Sequence, residues 1–177
     1  MKSIQNILIA GSIMVLSGFT VQQSVQWEIS NDYSIEFSAT KAEGIFKTLK
    51  GEVQFDAQDL AASKFNFIIE VNSINTGNGI KNKHAKSDKW FDAEKYPNIE
   101  FKSNAFSKTE EAYSVRGKMK MHGIEKEVHI PFTYENNVFA ARFSLNRLDY
   151  KVGTMEGSSK KVSNEIKLEV SIPVTKN

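Results

Sequence analysis

Apolar and polar residues alternate with a period of two along most of the chain after Gln26. In one such run Tyr33, Ile35 and Phe37 share a parity, with polar residues between them. The same alternation recurs in Phe65–Val71, Tyr113–Met121, Val128–Tyr134, Phe139–Leu145 and Ile166–Ile172. Because successive side chains of a strand point to opposite faces, each run predicts a β-strand with one apolar face. Many such strands at close spacing predict an all-β sandwich or barrel.

Residues with turn chemistry separate the runs. They are Asn31-Asp32, Lys50-Gly51, Asn136-Asn137 and Gly157-Ser158-Ser159, and each predicts a turn. The stretch 80–96 is mostly polar and does not alternate. Residues 84–91 within it are predicted to form a short helix, after which Pro97 restores extended chain. Such an insertion would cap a barrel end or form an ordinary long loop. Residues 26–177 as a whole are predicted to form one domain.

The N-terminus has a different pattern. Lys2 precedes the uncharged apolar run Ile7–Phe19, which is followed by polar residues. This order is typical of a secretory signal peptide, predicted over residues 1–25 with cleavage between Gly18 and Gln26. The run is short for a membrane span, which needs about 20 apolar residues. We therefore expect an exported, soluble protein, periplasmic or secreted, without an integral membrane span after cleavage; an uncleaved anchor is the alternative.

Composition narrows the classes of function. The formal net charge is +2, with both signs mixed along the chain, which argues against nucleic acid as a partner. The chain has no cysteine, which excludes disulfides, thiol catalysis and cysteine-ligated metals. The three histidines, His84, His122 and His129, match no zinc motif, and no nucleophile elbow is present. We expect no catalytic residue, no metal and no cofactor.

The apolar parity of the predicted strands points to a set of inward-facing residues. They are Phe37, Phe55, Phe67, Ile69, Phe101, Met119, Phe132 and Phe143. An eight-stranded barrel is either filled by such side chains or holds one small ligand. Parity does not separate the two cases, and composition alone favours a packed core.

Several segments together resemble the YceI-like family of exported bacterial proteins. In chain order they are Trp27-Glu28-Ile29 with Ser34–Phe37, Gly44-Ile45-Phe46, Gly51–Asp56, Ser73–Asn78, Lys83-His84 with Ser87–Phe101, Gly117–Ile124, and Asn146–Tyr150. The most specific match is Lys83-His84 followed by Ser87–Phe101. Two departures stand out: Lys81-Asn82 replaces the family's usual Arg-Asp pair before His84, and the glycine expected after Tyr150 is displaced to Gly153.

The resemblance implies an extended, lipocalin-like, eight-stranded antiparallel barrel with a short helical insertion. It also implies that the barrel binds, stores or transports a polyisoprenoid, an isoprenoid quinone or a fatty-acid-like chain in the cell envelope. The interpretation then shifts from a packed core to a ligand cavity lined by the inward-facing set, with Asn78, His84 and Trp90 as candidates at the barrel mouth. The alternative is an envelope stress or structural protein with no obligatory ligand. The sequence leaves the oligomeric state open, a homodimer included.

Overall fold

A computed structural model describes residues 25–110, 112–153 and 156–176. Apart from Val25, the predicted signal peptide lies outside these residues. The strands are β1 (Gln26–Ile29), β2 (Ser34–Ala39), β3 (Ala42–Phe46), β4 (Leu49–Gln54), β5 (Lys64–Glu70), β6 (Ile74–Asn75), β7 (Asn98–Lys108), β8 (Tyr113–Met121), β9 (Ile124–Glu135), β10 (Val138–Asn146) and β11 (Glu165–Lys176). One α-helix in this part of the chain, α1, spans Gly79–Lys86, and 3-10 helices span Leu60–Ala62, Val71–Ser73, Arg147–Tyr150 and Gly157–Lys161.

The strands form one antiparallel sheet that closes on itself. β1 pairs with both β4 and β11, while β2 continues β1 along the other half of β11. The pairs β1/β2, β3/β4 and β5/β6 each form one bent strand, so the barrel has eight strands. The predicted eight-stranded antiparallel barrel with a short helical insertion is confirmed. Closure leaves no long unpaired edge at the β1–β11 seam.

One tyrosine links the bend between β1 and β2 to the bend between β3 and β4 through hydrogen bonds. Tyr33 lies between β1 and β2, and its hydroxyl donates to the carbonyl oxygen of Lys47 at 2.8 Å. The same hydroxyl accepts from the backbone N–H of Leu49 at 2.9 Å. Both backbone groups lie at the break between β3 and β4, where the strand ladder cannot satisfy them. The hydroxyl therefore replaces ladder hydrogen bonds at the bend.

Burial follows the predicted alternation. In β8, Val115, Gly117 and Met119 are buried, whereas Arg116, Lys118 and Lys120 are exposed. The turn predicted at Asn136-Asn137 is present, with φ of 50° and 60°. Both angles are positive, as the tight hairpin between β9 and β10 requires.

The turn predicted at Lys50-Gly51 is wrong, because both residues lie inside β4. Gly51 pairs with Phe67 across the ladder. A Cβ at this position would lie 2.2 Å from the carbonyl oxygen of Asn66 and 2.9 Å from the Phe67 ring. The glycine thus permits close approach of a neighbouring strand, which is the other common use of glycine within a strand.

The helix begins earlier than the prediction of 84–91. The Asn78 side chain accepts from the backbone N–H groups of Ile80 and Lys81, both at 3.0 Å, and so caps the N-terminus of α1. The helix ends before Ser87, whose backbone N–H donates to the His84 carbonyl at 3.0 Å. The capping amide of Asn78 therefore fixes the start of α1 five residues before His84.

The barrel has two distinct ends. At the aromatic end, β1, β5, β8 and β10 begin and β4, β7, β9 and β11 finish. At the helix end lie α1, the His122-Gly123 turn between β8 and β9, and the chain between β10 and β11. The two ends differ in how their inward side chains are covered.

Candidate ligand-binding site

Packed rings close the aromatic end. The Phe55 side chain is 1% exposed, and its ring centroid lies 5.1 to 6.3 Å from six others, most of them edge-on. The six are Phe65, Phe106, Tyr113, Phe132, Tyr134 and Phe139. The Trp27 indole N–H also donates to the Phe55 carbonyl at 2.9 Å. Edge-to-face packing at these distances is the arrangement that aromatic quadrupoles favour.

The eight predicted lining residues fall into two groups by burial. Phe55, Phe101, Met119 and Phe132 are buried in the core. Phe37, Phe67, Ile69 and Phe143 are half-buried and pack against that core. The interior is therefore fully packed around the first group and partly uncovered around the second.

A half-open groove of about 600 Å³ crosses four neighbouring strands toward the helix end. Its middle row is in register and mostly apolar, formed by Gly44, Phe37, Leu168 and Phe143. The rows on either side are mostly polar: Ile45, Glu36, Glu169 and Arg142 on one, and Glu43, Ser38, Lys167 and Ser144 on the other. The flanking rows carry the outward parity of their strands, and their Arg142 and Glu169 form an exposed ion pair.

Gly44 shapes the middle of this groove. A Cβ on Gly44 would lie 2.8 Å from Cζ of Phe37 and 2.6 Å from the carbonyl oxygen of Asn75. The Phe37 ring consequently lies over the glycine backbone. A larger residue there would displace the ring, so the width of the groove depends on this glycine.

β9 and β10 separate toward the helix end. Their described pairing runs only from Val138↔Glu135 to Ala141↔Phe132, although β10 continues to Asn146 along β11. Beyond this point the chain of the 3-10 helix Arg147–Tyr150 approaches the β8–β9 turn. The ring nitrogen Nδ1 of His122 lies 3.1 Å from the Tyr150 carbonyl oxygen. The two strands therefore part beside the half-buried Phe143.

The three candidates for the barrel mouth have different surroundings. The Asn78 amide oxygen is used for the helix cap. His84 is exposed on α1. Trp90 is half-buried: the Arg147 guanidinium lies 5.3 Å from its ring centroid, and a Cβ on Gly153 would be 2.7 Å from its ring. A position of these three residues at the barrel mouth stays a prediction.

Arg147 is the polar residue of this region to which sequence reasoning gave no role. It is 3% exposed, and its guanidinium donates to the carbonyl oxygens of Val152, Ser159 and Val162 at 2.9 to 3.3 Å. Nε donates to the Ser163 carbonyl at 3.1 Å. Burial lowers the pKa of Arg147 from its ordinary value, although an arginine stays charged at neutral pH. Its only sequence signal was its place in the Asn146–Tyr150 motif.

Arg147 holds the chain between β10 and β11 against the barrel. Its planar guanidinium has five N–H donors in a fixed fork, so it can bond carbonyls on more than one side at once. The neighbouring Tyr150 is 2% exposed. Within the described residues its hydroxyl has no hydrogen-bond partner, and burial together with the nearby Asp149 charge raises its pKa to about 12.

The described residues contain no group of three or more metal-ligating side chains that could hold an ion. No helix among them is long and apolar enough to cross a membrane.

The fold and the interior define a closed eight-stranded antiparallel barrel with apolar side chains inside, a class that is either packed or holds one small ligand. The chain matches the YceI-like domain over residues 20–174. It belongs to the YceI-like family, which confirms the resemblance.

Curated relatives and solved structures agree with this assignment. A UPF0312 protein of Vibrio parahaemolyticus is 29% identical over 137 residues, covering 71% of this chain and 72% of that protein. A UPF0312 protein of Photorhabdus laumondii is 36% identical over 85 residues, covering 48% of this chain and only 44% of that protein.

Among solved structures, Burkholderia cenocepacia BcnA has a TM-score of 0.78 and 25% identity, covering 84% of this chain and 99% of that one. A polyisoprenoid-binding domain from Saccharophagus degradans has a TM-score of 0.62 and 11% identity, covering 87% of this chain and 99% of that one. The second likeness shows a shared fold.

Proposed function

We propose that this protein binds a long-chain amphiphile inside its barrel and stores or transports it in the cell envelope after export. The ligand classes are a polyisoprenoid, an isoprenoid quinone and a fatty-acid-like chain. The observation that carries the proposal is the contrast between a ring-packed aromatic end and half-buried apolar side chains toward the helix end. Such an interior resembles a pocket with one open end.

The energetics suit a long apolar chain. Each CH₂ group transferred from water to an apolar site contributes about 0.8 kcal/mol. Half-buried side chains such as Phe37, Phe67 and Phe143 would lose their remaining contact with water when a chain covered them. Binding of this kind needs no directional bonds along the chain, so selectivity for its length would be loose.

The family and one structural neighbour support the same class of function. The domain from Saccharophagus degradans is described as polyisoprenoid-binding, and its barrel has the fold of this chain. A binding protein rather than an enzyme also fits the chemistry, because the sequence offers no nucleophile paired with a base.

A second candidate is an envelope protein with no obligatory ligand. The six-ring cluster around Phe55 favours it, because this half of the interior is packed as an ordinary core. Under this alternative the half-buried residues toward the helix end would only form the margin of that core.

Lipid extraction from gently purified protein, followed by mass spectrometry, separates the two candidates. We expect a retained apolar ligand in the wild type and less of it in Phe67→Trp, which fills inward space while staying apolar. The matched control is Ala140→Trp, which adds a ring to the exposed face of β10. Circular dichroism checks that both variants fold.

Two outcomes would count against the proposal. If the wild type retains no lipid, the ligand-free envelope protein is the better interpretation. If Phe67→Trp and Ala140→Trp retain the same amount as the wild type, Phe67 does not line the pocket.

A further inference from the structure

The outward face of α1 combines an exposed apolar residue with positive charge. Ile80 is 70% exposed, and this exposure sets it apart from the other large hydrophobic side chains of the described residues. At about 100° per residue, Lys83 and His84 lie within roughly 60° of Ile80 around the helix axis, and Lys81 lies about 100° away. All three are exposed. Ile80 is therefore at the centre of a basic face.

The opposite face of α1 is anchored, which fixes this orientation. Ala85 packs against the core. The Asn82 amide oxygen accepts from the backbone N–H and the hydroxyl of Thr76, both at 2.7 Å. The helix thus cannot turn Ile80 inward without losing these contacts.

The charge of the face is not balanced within the helix. Residues 79–86 contain Lys81, Lys83 and Lys86 and no acidic residue. Asp88 follows the helix, and Lys89 is its neighbour. Lysines beside an exposed apolar side chain complement a surface that carries negative charge over an apolar layer, because anionic lipids attract the lysines and the apolar side chain gains by leaving water.

We propose that the face formed by Ile80, Lys81, Lys83 and His84 is a docking surface for a membrane with anionic head groups. Lysines would contact the lipid head groups, and Ile80 would enter the boundary between head groups and acyl chains. The contact area is small, so the association would be weak and reversible. The surface lies at the helix end, on the side of the barrel that the proposed ligand would use.

The test is flotation of the processed protein, its N-terminus determined by mass spectrometry, with vesicles. The vesicles contain phosphatidylcholine alone or in equal parts with phosphatidylglycerol. We expect binding to the anionic vesicles only, weakened by salt because exposed charges are screened. Lys81→Glu/Lys83→Glu should reduce it about 10-fold or more. Ile80→Ser should reduce it several-fold at unchanged charge.

Lys64→Glu/Lys176→Glu is the matched control. Both lysines are exposed and lie at the aromatic end, and the double change alters the net charge equally. It should leave vesicle binding within about twofold of the wild type, since its charges are more than a Debye length, about 8–10 Å, from the docked face. Thermal melts check that all variants fold.

Three results would overturn the proposal. The first is no binding of the wild type to anionic vesicles. The second is an equal loss in both double variants, which would mean attraction by net charge alone. The third is equal binding of a short DNA duplex with no effect of Ile80→Ser, which would mean a general affinity for polyanions. Vesicle binding without retained lipid would support the surface while contradicting the carrier function.

Discussion

Replacing Tyr150 with phenylalanine should not weaken the protein, even though Tyr150 is among its most buried side chains. Its hydroxyl has no hydrogen-bond partner among the described residues. A buried polar group left without a partner costs about 1–3 kcal/mol. Tyr150→Phe keeps the ring and removes that group, so we expect the free energy of unfolding to stay level or to rise by up to this amount.

The dependence of the free energy of unfolding on alkaline pH gives the same substitution a second readout. The pKa of Tyr150 is raised from 10.0 to about 12. The folded protein therefore keeps this proton at a pH where the unfolded chain loses it. Below pH 10 Tyr150 is protonated in both states, so its titration leaves the free energy of unfolding unchanged. As pH rises from 10 to about 12, ionisation of the unfolded chain lowers the free energy of unfolding by about 2–3 kcal/mol in total. Tyr150→Phe should lack this part of the loss.

The assay is urea unfolding followed by tryptophan fluorescence, at neutral pH and in steps through the alkaline range. Tyr33→Phe is the matched control, because it makes the same chemical change where the hydroxyl bonds Lys47 and Leu49. It should lower the free energy of unfolding by about 1–3 kcal/mol. A clear loss of stability in Tyr150→Phe at neutral pH would refute the reasoning and mean that the hydroxyl has a partner.

Four other substitutions test the packing and the hydrogen bonds of the interior. Phe55→Ala should cost about 3–5 kcal/mol by opening a cavity, and Phe143→Ala should cost clearly less because Phe143 is half-buried; urea midpoints compare them. Arg147→Lys should cost about 1–3 kcal/mol, since one ammonium cannot reach the carbonyls that the guanidinium bonds, and hydrogen exchange of the chain between β10 and β11 should rise. Gly117→Ala should cost about 1–3 kcal/mol, because a Cβ would lie 2.6 Å from the Lys102 carbonyl oxygen and the Phe101 ring; a thermal melt unchanged from wild type would contradict this.

The local pattern of the chain determined its strands and the inward parity of their side chains. Phe37, Phe132 and Phe143 all carry the apolar parity of their strands. Alternation is a property of neighbouring residues, so it can be read without knowing what lies across the barrel. The family motifs added the number of strands, since they covered nearly the whole chain in order.

Only the tertiary structure decided which inward residues are covered. Phe55 meets six rings that five different strands contribute, whereas Phe143 lies where β9 has parted from β10. Gly51 was mistaken for a turn because its reason, close approach of Phe67, is a contact between strands. The carbonyl groups that Arg147 binds likewise belong to residues 5 to 16 positions further along the chain. Such contacts depend on strand stagger and barrel closure, which no periodicity along the chain encodes.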